Sequence, residues 1–389
     1  MTPYINFLYF GISLYALIPA VIFGFFRRFW KAWLVIATLF MLMIQYSDIN
    51  KEHHTILPGI VLVLGYALIQ WLIALGFLRI RKRGVNKTAL YIALTLSILP
   101  LVAEKVLPLF QGQSPFVFLG LSYITFRSVD VLLGIQDNLI KQIHPLQYFM
   151  FLLFFPTISS GPIDRYRRFA QDWERERTRE EVIQDLDGGV HRIFTGFLYK
   201  FILAALIKQY WLDPLVEGVG LVSTLSYMYA YFFYLFFDFA GYSAFAIGFS
   251  YIFGIHTPEN FNSPFLSRDI RDFWNRWHMS LSFWFRDHIY NRFTFAALKG
   301  KWFKDSQTAS YLGFMITMGL MGLWHGLALH YIAYGLYHGA LLVATNWLDR
   351  RYKGNRLLND PGLFWRVLSI VITFHLVAVG LLIFSGRLF

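Results

Sequence analysis

Two histidines stand where this chain could do acid–base chemistry. His325 lies in MGLWHG, Met321 to Gly326, near the end of an otherwise uncharged apolar stretch. His278 lies in FWNRWHMSLSFWFRDHIY, Phe273 to Tyr290, among Trp274, Trp277, Trp284, Arg276, Arg286, Asp287 and His288. Ionisable groups near a bilayer are costly to desolvate and persist mainly where they work or face water. A neutral imidazole in a low-dielectric site can take the proton of a hydroxyl while its oxygen attacks an acyl carbon. Gly322 and Gly326 leave room for a backbone or a slender substrate to come close. On the residues alone, an imidazole hydrogen-bonded between two helices explains His325 equally well.

Taken as a helix, the second segment puts Trp274, Trp277, Leu281 and Trp284 on one face, and Arg271, Asn275, His278 and Ser282 on another. That describes an interfacial helix with tryptophans at headgroup level. A basic belt helix without chemistry accounts for all of this except the stacking of Asn275 on His278. Asn275, Ser282, Trp277, Trp324 and Asp238 are therefore the supporting, substrate-binding candidates. Metal chemistry is disfavoured. His325, His330 and His338 are spaced so that no two share a helical face as an HExxH pair would, and there is no cysteine. No glycine-rich phosphate loop and no GxSxG elbow occurs. No metal and no cofactor bound by this chain is expected.

The elements that must position these groups are membrane helices. Apolar residues make up 57% of the 389 positions and charged residues only 15%, with a mean hydropathy of +0.48. Soluble domains have about 25% charged residues. The net charge of +12 follows the positive-inside rule and anionic headgroups, without invoking nucleic acid. The absence of cysteine excludes disulfides, thiolate sites and a cysteine nucleophile.

Basic clusters orient the chain. Pro3 to Phe26 reads as a first spanning helix followed by Arg27, Arg28 and Lys31, which places the amino terminus outside. Ala32 to Tyr46 and Ile56 to Leu78 follow, separated by a polar turn and closed by Arg79, Arg81, Lys82 and Arg83. Thr88 to Phe110 crosses again. Phe116 to Ile135, with Arg127 and Asp130, is expected to be re-entrant, so that the charged segment Arg165 to Arg192 returns to the cytoplasm as a solvated helix without chemistry. Ile193 to Leu212 crosses outward, and Val219 to Phe253 is expected to break around Asp238 and Gly241. Ser310 to Leu327 and Tyr331 to Leu348 form a tight pair, Arg350, Arg351 and Lys353 mark the cytoplasm, and Leu363 to Phe384 is the last helix. The expectation is one multi-pass, all-α domain over residues 1–389, with about ten or eleven crossings.

Arg286 to Lys304 mixes cations with apolar residues. Its plainer reading is a helix on anionic lipid. Its sharper one is a dock for an acidic protein, with Phe295 and Leu298 at the centre and Arg286, Arg292, Lys299 and Lys301 as a basic rim.

With these residues in view, the sequence resembles the membrane-bound O-acyltransferase superfamily, and within it the branch that D-alanylates teichoic acids of Gram-positive cell walls. The stretches that carry the resemblance are FFDFAGYSAFAIG (Phe236 to Gly248), NFNSPFLSRDIRDFWNRWHMSLSFWFRDHIY (Asn260 to Tyr290), MGLWHG and SSGPIDRYRRF (Ser159 to Phe169). Alginate O-acetyltransferase subunits share FDFSGYSD, where this chain has Ala240 and Ala244. The resemblance implies a ring of helices around a central funnel and tunnel in the cell membrane, with His325 as principal catalytic residue and His278 as second signature position. It also implies a donor, D-alanine as a thioester on the phosphopantetheine of a small acidic cytosolic carrier, and a hydroxyl acceptor leading to lipoteichoic acid. Other membrane proteins of the pathway are implied as partners. The competing expectations are polysaccharide O-acetylation and a non-catalytic transporter or scaffold.

Overall fold

Long apolar runs that lack the alternation of strands wind into helices, which satisfy every backbone group internally in lipid. The computed structural model describes residues 1–26, 29–46, 59–112, 118–352 and 362–389. Arg27, Arg28, the polar turn before the third helix, Lys353 and the start of the Phe116 segment lie outside the described residues. The helices are α1 (Phe7–Phe26), α2 (Trp30–Tyr46), α3 (Gly59–Lys82), α4 (Lys87–Val106), α5 (Leu121–Gln136), α6 (Pro145–Leu153), α7 (Tyr166–Glu174) and α8 (Arg179–Gly196). They continue with α9 (Leu221–Ile252), α10 (Ile270–Trp274), α11 (Met279–Phe285), α12 (Asn291–Lys299), α13 (Ser306–His325), α14 (Leu329–Arg351) and α15 (Leu363–Phe384). Among the described residues, β pairing is confined to one isolated bridge, Phe261 to Trp277.

Six described helices are long and apolar enough to cross a membrane: Phe7–Phe26, Gly59–Lys82, Lys87–Phe110, Arg179–Leu215, Leu221–Ile252 and Leu363–Phe384. α13 and α14 have the length, but their polar ends and histidines dilute the hydropathy. α5 has only 16 residues, short of the roughly 20 that a crossing needs.

The chain divides into two compact units, Met1–Gly196 with Gly241–Pro258, and Phe197–Ala240 with Glu259–Phe389. In the first unit the irregular stretch after α6 is held by side chains. Arg127, 1% exposed, donates to the carbonyls of Phe151, Leu152 and Thr157 at 2.9, 3.0 and 2.7 Å. Tyr4 donates to the Pro156 carbonyl and Gln45 to that of Phe155, so the carbonyls at the end of α6 and just after it are not left bare.

Two expectations are overturned. The segment from Arg165 to Arg192 is not a solvated helix, because α7 buries Tyr166, Phe169 and Trp173 at helical spacing. Its charges pair with one another instead. Arg177 and Asp185 are both buried, with Nη1 3.2 Å from Oδ2, and His256 Nε2 lies 2.6 Å from Asp185 Oδ1. The expected break in Val219 to Phe253 is also absent, since α9 runs unbroken through Asp238 and Gly241. The glycines serve close packing between helices, as a Cβ on Gly189 would meet the Gly248 carbonyl at 2.8 Å and one on Gly196 the Phe245 ring at 2.7 Å. In the second unit the Lys200 ammonium pairs with the Asp238 carboxylate. A paired carboxylate needs no unwound backbone to satisfy it.

Candidate active site

The His278 segment is shaped by a short loop that pairs back onto it. Phe261 bridges Trp277, the Asn262 N–H donates to the Arg276 carbonyl at 2.9 Å, and the Met279 N–H donates to the Asn260 carbonyl at 2.9 Å. The Asn260 side chain accepts from Ser280 Oγ at 2.6 Å. These bonds interrupt the helical run. α10 ends at Trp274, and His278 takes φ 44° and ψ 49° before α11 begins.

The single helix expected across Arg271, Asn275, His278 and Ser282 is therefore broken, and the face it implied does not form. Helical spacing presumes an uninterrupted turn of about 100° per residue, which the Asn260 loop removes. Asn275 is exposed and His278 buried. The Ser282 hydroxyl donates to the Trp277 carbonyl at 3.1 Å, and the Trp277 ring stacks on Phe273, centroids 5.5 Å apart. The His278 imidazole, 6% exposed, stands edge-on to Phe239 at 4.7 Å. Its Nε2 has no hydrogen-bond partner among the described residues.

His325 closes α13. α13 and α14 approach closely through glycines, because a Cβ on Gly322 would run into the Tyr331 carbonyl and one on Gly335 into that of Met318. The imidazole is half-buried and framed by rings: Trp324 at 4.5 Å, Phe384 at 4.9 Å, Tyr331 at 6.1 Å and Tyr334 at 6.2 Å between centroids. Trp324 also lies 6.5 Å from His278, so one indole neighbours both histidines.

Beside α11 opens a cleft of about 250 Å³ lined by Arg271, Trp274, Asn275, Ser282, Arg286 and Thr317, with apolar walls from Phe283, Phe314 and Met318. Arg286 at its rim stacks over Phe283, 4.4 Å from the ring centroid, and reaches Asp287 at 3.1 Å. In α12, Phe295 and Leu298 are 69% and 52% exposed. Lys299 and Lys301 are exposed and Arg292 half-buried. Asp238 sits on α9, paired with Lys200. Among the described residues no three His, Asp or Glu side chains gather as metal ligands.

The pattern that defines the membrane-bound O-acyltransferase family matches residues 20–384. The chain belongs to this family. It is 43% identical over 400 residues to the teichoic acid D-alanyltransferase of Bacillus subtilis strain 168, covering 100% of this chain and 99% of that protein. To the teichoic acid D-alanyltransferase of Streptococcus thermophilus it is 38% identical, covering 100% of this chain and 96% of the other. A probable alginate O-acetylase of Pseudomonas aeruginosa is 34% identical over 288 residues, 71% of this chain and 51% of that protein.

As a membrane-bound O-acyltransferase, the chain is a multi-pass, all-α membrane protein and an acyltransferase. Several residues around its histidines escape a reading of the sequence. Tyr331 is brought to His325 by the turn at Ala328, and Phe384 comes from the last helix with no local signal at all. His338 is fully buried, with neither ring nitrogen hydrogen-bonded among the described residues, and packs against Trp274 at 5.2 Å and Tyr334 at 4.8 Å. A Cβ on Gly380 would collide with its Nε2. The spacing GLYHG, Gly335 to Gly339, marks close helix packing, but it does not single the histidine out.

Proposed function

We propose that this acyltransferase moves D-alanine from a phosphopantetheine thioester on an acidic cytosolic carrier protein to a hydroxyl acceptor leading to lipoteichoic acid. The observation that carries the reading is the half-buried His325 imidazole at the end of α13, in a chain that aligns over its full length with two teichoic acid D-alanyltransferases. His325 acts as general base. It takes the hydroxyl proton as the oxygen attacks the thioester carbon, the carbon–sulfur bond breaks, and the imidazolium returns the proton to the departing thiolate. His278, buried beside Trp324, supports the donor arm from within the protein.

The cleft beside α11 suits such an arm, offering apolar walls and the Arg271 and Arg286 cations for its phosphate. Carrier docking on α12 uses exposed Phe295 and Leu298 as anchor, with Arg286, Arg292, Lys299 and Lys301 as rim. The amino terminus lies outside and the Arg286–Lys304 segment faces the cytoplasm. Acetyl transfer to a polysaccharide is the second reading, favoured by the alginate O-acetylase match. The deciding experiment reconstitutes the purified protein with carrier loaded with D-alanine or acetate. D-alanyl transfer that disappears in His325→Ala supports the proposal, whereas activity within about tenfold of wild type refutes the base assignment.

A further inference from the structure

The rings around His325 give this accessible imidazole surroundings of a particular chemistry. Trp324, Tyr331 and Phe384 are half-buried, like the imidazole itself, whereas Tyr334 behind them is buried. Their centroids lie 4.5, 6.1 and 4.9 Å from that of His325. Tyr331 and Phe384 also touch each other, centroids 5.1 Å apart at 59°. Gly326 is part of the construction, since a Cβ there would stand 2.6 Å from the Tyr331 ring. Glycine after the histidine lets that ring close over the site. Packing alone does not call for three large rings converging on one accessible imidazole, and ring faces attract cations within about 6 Å of their centroids.

We propose that Trp324, Tyr331 and Phe384 form an open aromatic cage for the α-ammonium of the transferred aminoacyl group, and that this cage sets the preference for aminoacyl over plain acyl donors. The inference rests on the D-alanyl reading above and adds the recognition of its charge. The ammonium is bonded to the carbon next to the one under attack. A hydroxyl within hydrogen-bond reach of His325, attacking that acyl carbon, brings the ammonium among the rings that flank the imidazole. Rings suit this position better than an acid would. A carboxylate beside the imidazole would favour imidazolium, which cannot accept the hydroxyl proton. By favouring the cation, the cage also keeps the amine from attacking a thioester itself.

The experiment compares two donors that differ only in the amine, carrier loaded through phosphopantetheine with D-alanine or with propionate. The purified protein in liposomes is supplied with lipoteichoic acid, and kcat/KM is measured for each donor. Tyr331→Leu, Phe384→Leu and Trp324→Leu should each lower the D-alanyl to propionyl ratio about three- to thirty-fold, the range expected for one cation–π contact. Tyr331→Phe, which keeps the face, should hold the ratio within about threefold. Should a leucine variant fail to insert, mono- and trifluorinated phenylalanine at position 384 preserve the shape while weakening the π face, and the ratio should fall stepwise. A ratio unmoved by the fluorinated series, or a wild type that uses propionate as well as D-alanine, overturns the cage while leaving the acyltransfer reading in place. If neither loaded carrier is a substrate, the proposed transfer from carrier to lipoteichoic acid itself fails, and the cage with it.

Discussion

The Trp324 indole lies 6.5 Å from the His278 imidazole, tilted by 54°, and also neighbours His325 at 4.5 Å. Two histidines 47 positions apart in sequence thus share one ring, but not one environment. His325 is half-buried and His278 buried. The accessible imidazole suits proton abstraction and the enclosed one a supporting part. His325→Ala should lower D-alanine ester formation by at least about 10²-fold with membrane insertion retained. His278→Ala should cost less. Ester quantification on cells expressing each variant, with membrane levels measured in parallel, checks both, and equal losses would contradict the division of roles.

His278 also has a backbone role. Its φ of 44° lies in the left-handed region, where asparagine is tolerated and β-branched residues are strained by about 1–3 kcal/mol. His278→Asn should therefore lose activity yet unfold close to wild type in detergent. His278→Val should lose activity and unfold at a clearly lower temperature. Identical thermal curves for the two would show that the loop from Asn260 can relax without this conformation.

The helices were legible because hydrocarbon runs and basic clusters are imposed by lipid, and both histidine motifs stood out by chemistry. What the sequence concealed is non-local. The break at His278 depends on Asn260, which bonds Met279 and Ser280 from across a loop, and helical spacing within Arg271 to Ser282 carries no trace of it. α9 runs on through Asp238, whose partner Lys200 lies 38 positions earlier in the chain. Arg177 and Asp185 read as surface charges because their other neighbours come from distant parts of the chain, Trp30 with its ring 5.5 Å from the Arg177 guanidinium and His256 with Nε2 2.6 Å from Asp185.

The Lys200–Asp238 pair gives a double-mutant test. Their side chains are 13% and 36% exposed, so removing one charge strands the other in a poorly hydrated place. Asp238→Asn alone should destabilise by about 1–3 kcal/mol. Adding Lys200→Met should restore part of that loss, because no charge is then left unpaired. Thermal unfolding of the four proteins in one detergent measures the coupling. Additive effects would mean that water already compensates each group.

Topology can be read with single cysteines, since the natural sequence has none. Glu176 and Glu217 are exposed and flank the 37-residue helical run Arg179–Leu215, which at 1.5 Å per residue exceeds the roughly 30 Å hydrocarbon core. Glu176→Cys and Lys82→Cys should be labelled by an impermeant maleimide only in opened cells, and Glu217→Cys in intact ones. Labelling of position 176 from outside would reverse the orientation of this segment and remove the case for a re-entrant Phe116 to Ile135.

The carrier dock is tested on α12, where exposed Phe295 and Leu298 sit three residues apart, on one helical face. An apolar anchor with a basic rim should give binding with a salt-independent core and a screened periphery. Phe295→Asp should abolish binding of the acidic carrier at every salt concentration, because it sets a carboxylate at the centre of the contact and opposite a like-charged partner. Lys299→Glu and Lys301→Glu should weaken binding strongly at low salt and little at high salt, where ions already suppress the rim. Pull-down and calorimetry with purified carrier, at two ionic strengths, read both effects. Were all three variants to bind like wild type, α12 would be a helix resting on anionic lipid. The carrier would then have to meet the protein elsewhere, with exposed Arg179 at the start of α8 among the first positions to reverse in charge.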